Sequence, residues 1–166
     1  MVYRLAYRML RNKNEAEDVV QEVFIQVWQR RTNFRELSHY STWIYRITTN
    51  KCIDYLRARK RRAIMEWLKF SVAVDIFTPN EPSDTTTNPL ESIHRKEQRL
   101  ALNAAIASLP VMQQTAFVLL KMEGLTQKEA ATILNITEKA LESLLQRANK
   151  SLRKKLEKFY SERRII

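Results

Sequence analysis

Trp43, Arg46, Asn50, Arg57 and Arg61 recur at helical spacing, and Asp54 falls on the same side. Just ahead of them lies Asn33-Phe34-Arg35-Glu36-Leu37-Ser38-His39-Tyr40, which mixes aromatic, amide and basic groups. Side chains of these kinds set together suit unpaired nucleic-acid bases. Each base stacked on a ring contributes about 1–3 kcal/mol, and the cations follow the backbone. The alternative is that Trp43 is core and the arginines only solvate the helix; Trp43 fits either role, or both. Asp54, His39 and His94 do not make a nucleophile, a base and an orienting group at any interpretable spacing, so no enzyme is expected.

A second set stands near the C-terminus. Lys139, Ser143, Gln146, Arg147 and Lys150 share one face of a helix whose other face carries Leu141, Leu144, Leu145, Ala148 and Leu152. Ahead of it, Glu123-Gly124-Leu125 leads into a short helix. Thr126-Gln127-Lys128-Glu129 forms its capping box, Ala130, Ala131 and Leu134 pack one side, and Asn135 turns the chain. Thr137 then caps the last helix, expected to run to about residue 160. Two helices in this arrangement read as a helix-turn-helix, with polar and basic groups aimed at phosphates and base edges of a major groove. Arg153, Lys154, Lys155 and Lys158 add attraction for phosphate regardless of sequence. A plain helical hairpin with a solvated basic face is the alternative for this segment taken alone.

A third set is different in kind. On a helix spanning 14–31, Ala16, Val19, Val20, Val23 and Val27 form a core stripe, while Asp18, Gln21, Glu22 and Gln29 form a polar face. Ile25 sits within that face and Trp28 at its border. Apolar groups framed by acids and amides suit a docking site for a partner helix; a solvated face is the alternative.

The elements that must position these sets are helical. The chain of 166 residues has a single glycine, Gly124, where a strand-rich fold needs several for its turns. The expected fold is all-α: two small helical domains joined by a flexible linker, the C-terminal one a helix-turn-helix. The domains span 1–62 and 93–166, and the linker 63–92. The stretch 78–92, TPNEPSDTTTNPLES, carries three of the four prolines and resists helix. Before it, Trp67, Leu68, Phe70, Val72, Val74, Ile76 and Phe77 are too apolar for free solvent and suit docking on a domain or a partner. Expected helices cover 2–11, 14–31 (opened by a capping box at Asn14–Glu17), 42–62, 89–108 and 111–122, the last beginning after Pro110.

Charge follows the same division. Residues 1–62 hold 14 basic and 6 acidic side chains, residues 63–95 hold 2 and 5, and residues 96–166 hold 13 and 7. The net charge of +11 points to a polyanionic partner. No run of about 18 apolar residues is present, so no membrane insertion is expected. Cys52 is the lone cysteine, which leaves no internal disulfide or zinc cluster, and a small buried residue is its plain reading. A cytoplasmic protein without cofactor or metal is expected.

Taken in order, these motifs resemble a known family. Ala16-Glu17-Asp18-Val19-Val20-Gln21-Glu22-Val23-Phe24 is similar to the core-binding helix of bacterial sigma factors. Phe34 through Ser41-Thr42-Trp43-Ile44-Tyr45-Arg46-Ile47, with Asn50 and Asp54-Tyr55-Leu56-Arg57, resembles their promoter-melting segment. Leu109-Pro110, Glu123-Gly124-Leu125-Thr126 and Glu129-Ala130-Ala131 resemble their C-terminal helix-turn-helix. The order and separation are those of the two-domain extracytoplasmic-function (ECF) group, a subfamily of the sigma-70 family.

The resemblance implies a role in promoter recognition, promoter melting and transcription initiation. Asp18, Gln21, Glu22, Ile25 and Trp28 would bind the β′ clamp of core RNA polymerase, with the β flap as a second contact. Asn33, Phe34, Arg35, His39, Tyr40, Ser41, Thr42, Trp43, Arg46 and Asn50 would capture the −10 element as single strand. Flipping a base out costs a few kcal/mol, which the pocket must recover. Arg57, Lys60, Arg61 and Arg62 would hold phosphates. Thr126, Gln127, Thr137, Lys139, Glu142, Ser143, Gln146, Arg147 and Lys150 would meet the −35 element as duplex. An anti-sigma factor is an expected partner.

Three departures stand out. The family usually has a further helix before the equivalent of Val2. Glu142 and Leu144 occupy positions where basic residues are common, and Gln114 replaces a common arginine. A stand-alone helix-turn-helix regulator is the competing reading; it predicts duplex binding by the chain alone and leaves the N-terminal stripe unexplained.

Overall fold

The computed structural model describes residues 1–31, 40–69 and 89–163, with side chains described for 1–31, 40–66, 97–157 and 161. Helix α1 (Val2–Leu10) forms because Leu5, Ala6, Met9 and Leu10 share one face and bury it almost completely. Arg11, left-handed at φ 56°, ends it by returning its N–H to the Tyr7 carbonyl.

Helix α2 (Lys13–Arg30) starts earlier than its motif suggests. Asn12 is the cap, not Asn14: its side chain accepts from the Glu15 N–H at 3.1 Å. Glu15 does not close a box. It turns to Arg59 at 3.3 Å. Ala16, Val19 and Val23 are fully buried, as the core stripe requires, with Val20 and Val27 half-buried.

Helix α3 (Tyr40–Lys69) is 30 residues long, well past the expected span of 42–62. No glycine or proline interrupts it, so nothing in the chain stops it at Arg62. The expected linker is therefore helical over 63–69, and again from Pro89, where α4 (Pro89–Ala107) begins with proline in its first turn. The rest of that linker, and the apolar positions Phe70, Val72, Val74, Ile76 and Phe77, lie outside the described residues.

The helix expected over 111–122 changes character partway. Helix α5 (Val111–Phe117) continues as one wider π turn, Val118–Met122. There the Glu123 N–H reaches the Val118 carbonyl at 2.9 Å and the Leu125 N–H reaches Leu119 at 3.1 Å. Gly124 follows with φ 72°, a left-handed conformation that resists any side chain. A Cβ there would meet nothing within 4 Å, so the penalty is purely one of backbone. Gly124→Ala is expected to destabilise the protein by about 1–2 kcal/mol, read as a lower urea midpoint with unchanged slope.

Helix α6 (Gln127–Leu134) opens with the full capping box of Thr126 and Glu129 and closes at Asn135, left-handed at φ 54°. Helix α7 (Glu138–Arg163) is capped by Thr137, whose hydroxyl accepts from the Ala140 N–H at 3.2 Å.

Helices α1, α2 and α3 pack on one another, and α4, α5 and α6 pack on α7. The two groups also meet: α5 and α6 lie on α3, and the π turn touches α1. One buried cluster thus runs from Leu5, Met9, Val19 and Leu56 through to Leu119, Ile133 and Leu141. A smaller one, with Ile106, Leu109, Ala148 and Leu152, seats α4 on α7. Cys52 is fully buried, and that burial pushes its thiol up to about 12, which keeps it protonated and inert. Among the described residues there is no strand, no helix long and apolar enough to cross a membrane, and no cluster of residues able to hold a metal.

Candidate nucleic-acid interface

Helix α3 carries the first surface. Tyr40 is exposed and Trp43 half-buried, their rings 5.6 Å apart and tilted. Trp43 packs partly on the core and keeps the rest of its ring outside. Ser41 is exposed and Thr42 half-buried. One and two turns on, Arg46 and Asn50 are exposed, and Arg57, Arg61 and Arg62 continue outward-facing. The helix holds this face outward because Ile47, Ile53 and Leu56 bury its other side. Asn33, Phe34, Arg35 and His39 lie outside the described residues.

This row does not face open solvent along its whole length. Arg46 donates to the Thr132 carbonyl of α6 at 2.6 Å. Asn50, Ile53, Asp54 and Arg57 form one wall of a cleft of about 320 Å³, and Met112 and Leu134 form the other. Lys60 stands apart from its neighbours. Half-buried, it donates to the Leu109 carbonyl at 2.5 Å, and burial, with Arg59 and Lys155 nearby, pushes its ammonium below the ordinary lysine value.

The second surface is the outer face of α7. Lys139, Glu142, Ser143, Gln146, Arg147 and Lys150 are all exposed, while Leu141, Ala148 and Leu152 are buried and Leu144 and Leu145 half-buried. Glu142 holds the Gln146 amide at 3.3 Å, one turn away. Gln127 is exposed, and the Thr126 and Thr137 hydroxyls are occupied in capping.

The third surface is on α2. Asp18, Gln21, Ile25 and Trp28 are exposed along one stripe, Trp28 at 68%. Phe24, 60% exposed, joins them; periodicity alone did not single it out. Arg31 lays its guanidinium over the Trp28 ring at 3.9 Å and donates to the Trp28 carbonyl at 2.7 Å. Glu22 is less free. Lys51 at 2.7 Å and Tyr55 at 2.8 Å both donate to it. Those two bonds, Lys51 first, hold its carboxyl below the usual carboxylate value. Burial, and then Glu22, push the Tyr55 phenol up to about 12. Lys51 and Tyr55 lie at i and i+4 on α3, a spacing that marks a shared face but not its partner.

A fold that is all-α over the described residues, with a ring-and-cation row on α3, a helix-turn-helix at α6 and α7 and an acidic-apolar stripe on α2, fits the class of transcription-initiation factors. Residues 1–62 match the family model for Sigma-70 region 2, and residues 99–152 the model for Sigma-70, region 4. The chain is 35% identical over 161 residues to the ECF RNA polymerase sigma factor SigE of Mycolicibacterium smegmatis, covering 97% of this chain and 59% of that protein. It is 30% identical over 155 residues to the ECF RNA polymerase sigma factor SigW of Bacillus subtilis, covering 93% and 82%. Among solved structures, the sigma factor RpoE of Bartonella quintana, in complex with the anti-sigma factor NepR, superposes with a TM-score of 0.67 at 20% identity, covering 94% of this chain and 89% of that one. The chain belongs to the ECF RNA polymerase sigma factors of the sigma-70 family.

Proposed function

We propose that the protein directs core RNA polymerase to promoters, without catalytic activity of its own and in the cytoplasm. The α2 stripe of Asp18, Gln21, Glu22, Ile25 and Trp28 docks on the β′ clamp. The α3 row, from Tyr40 to Asn50, takes flipped bases of the −10 strand, and Arg57, Arg61 and Arg62 hold its phosphates. The α7 face reads the −35 duplex, and the C-terminal helices meet the β flap. An anti-sigma factor is the natural antagonist.

The observation that carries this reading is the coexistence of the row of exposed Tyr40, Arg46 and Asn50 about the half-buried Trp43 with a separate, outward-facing recognition helix on one chain. A duplex reader needs only the second. Transcription with core polymerase over a randomised promoter library tests the proposal. Enrichment of two sequence elements at fixed spacing is expected. Failure of the full chain to bind core polymerase, together with binding to duplex DNA alone, favours the stand-alone regulator instead.

A further inference from the structure

Glu142 is an acid in a basic neighbourhood. It is exposed on the outer side of α7 with Lys139, Ser143, Gln146, Arg147 and Lys150, away from the buried Ala148 and Leu152. It falls in the second turn of a helix that starts at Glu138, and recognition helices contact base edges from their N-terminal residues. One of its oxygens accepts the Gln146 amide N–H at 3.3 Å, and among the described residues it stands in no ion pair with the cations of that face. The bond from Gln146 limits the rotamers open to the carboxylate and leaves its second oxygen without a protein partner.

A carboxylate on a face meant for a polyanion carries a cost. It repels phosphate, and nothing offsets that repulsion unless it meets a hydrogen-bond donor. The major groove offers few. Guanine shows two acceptors there, thymine an acceptor and a methyl group, and adenine sets its N7 acceptor beside its amine. Cytosine alone presents an amine with no acceptor on its own edge. A group that only accepts therefore fits the cytosine N4 amine and is turned away by the other edges.

We infer that Glu142 is a specificity-determining residue of the −35 readout, its carboxylate accepting from the exocyclic amine of one cytosine and rejecting the other bases at that position. The inference rests on the reading of α7 as the −35 helix. Specificity is a difference of affinities, and here repulsion supplies much of it. Glu142 adds little overall affinity while it separates cytosine from its competitors.

The test uses holoenzyme assembled from core polymerase and the full chain, with transcription selecting from a promoter library randomised across the −35 region. Wild type, Glu142→Ala, Glu142→Gln and the double variant Lys139→Ala with Arg147→Ala are compared, and far-ultraviolet dichroism checks that helix content is kept. Wild type is expected to favour cytosine over thymine at one position by roughly tenfold or more. Glu142→Ala is expected to bring that position close to even, with the remaining −35 positions unchanged. Glu142→Gln replaces the carboxylate with a donor and an acceptor side by side, the pair that fits adenine N7 and N6, so the preference is expected to move to adenine. Both variants are expected to initiate better than wild type at promoters lacking that cytosine, because the repulsion goes with the charge.

Unchanged base frequencies in both Glu142 variants, with the Lys139 and Arg147 double variant weakening or altering the −35 element, overturn this inference alone and leave Glu142 as a solvated partner of Gln146. A loss in Glu142→Ala spread over every −35 position overturns it too, since that is the mark of a displaced helix. If no variant changes the −35 element, α7 does not read it, and the inference falls with that reading.

Discussion

Asn50→Ala and Arg46→Ala are each expected to slow open-complex formation by roughly 10- to 100-fold while leaving affinity for core polymerase unchanged. Each side chain is exposed on α3, so truncation removes a contact to DNA without opening a cavity. A good hydrogen-bonded contact from an amide or guanidinium to a base edge is worth about 1–3 kcal/mol, and each 1.4 kcal/mol is a factor of ten. Asp18→Arg and Glu22→Arg are expected to do the reverse. A charge reversal on the docking stripe weakens core binding, and DNA opening by whatever holoenzyme forms is spared. Glu22→Arg carries a second cost, since it leaves Lys51 and Tyr55 facing a like charge or none. Asp18→Arg is therefore the cleaner variant. Abortive initiation and core-binding titration on the same four proteins decide the matter. If both sets lose the two activities in parallel, the assignment of separate surfaces is wrong.

The two sets were legible in the chain because each depends on a period. Exposed Arg46, Asn50 and Arg57 alternate with buried Ile47, Ile53 and Leu56, and that pattern is written in residue type. The C-terminal motif was equally plain, since Thr126, Asn135 and Thr137 are each the residue that their backbone position favours. Helix ends set by a remote partner were not legible. Asn12 outcompetes Asn14 as the cap of α2, and Glu15 is drawn off to Arg59, a residue 44 positions away. The π turn was invisible too, because residues 118–122 have an ordinary helical composition. Least legible was Glu123. Next to a glycine it reads as a solvated turn residue, and only its meeting with Arg4, Arg8 and Tyr45 shows it as an enclosed charge where the two halves meet.

The contact between the two halves also sets the largest stability effect. Leu119→Ala is expected to cost about 2–5 kcal/mol, a large share of the roughly 5–15 kcal/mol that holds a domain folded. Leu119 is fully buried, and it lies in the π turn that packs on α1, within the cluster shared with Leu5, Met9 and Leu56. The loss therefore falls on both halves together. Urea denaturation of the wild-type protein, followed by far-ultraviolet dichroism and by the fluorescence of its three tryptophans, Trp28, Trp43 and Trp67, should give one coincident transition, displaced to lower urea in Leu119→Ala. Leu152→Ala is the control. Its cluster seats α4 on α7, with Phe117 of α5 against it, and is separate from the cluster shared with α1 and α3, so it weakens the C-terminal half first. If Leu119→Ala and Leu152→Ala both leave the tryptophan transition in place and shift only part of the dichroism, the halves unfold independently. The shared core then contributes nothing across the contact between the two halves.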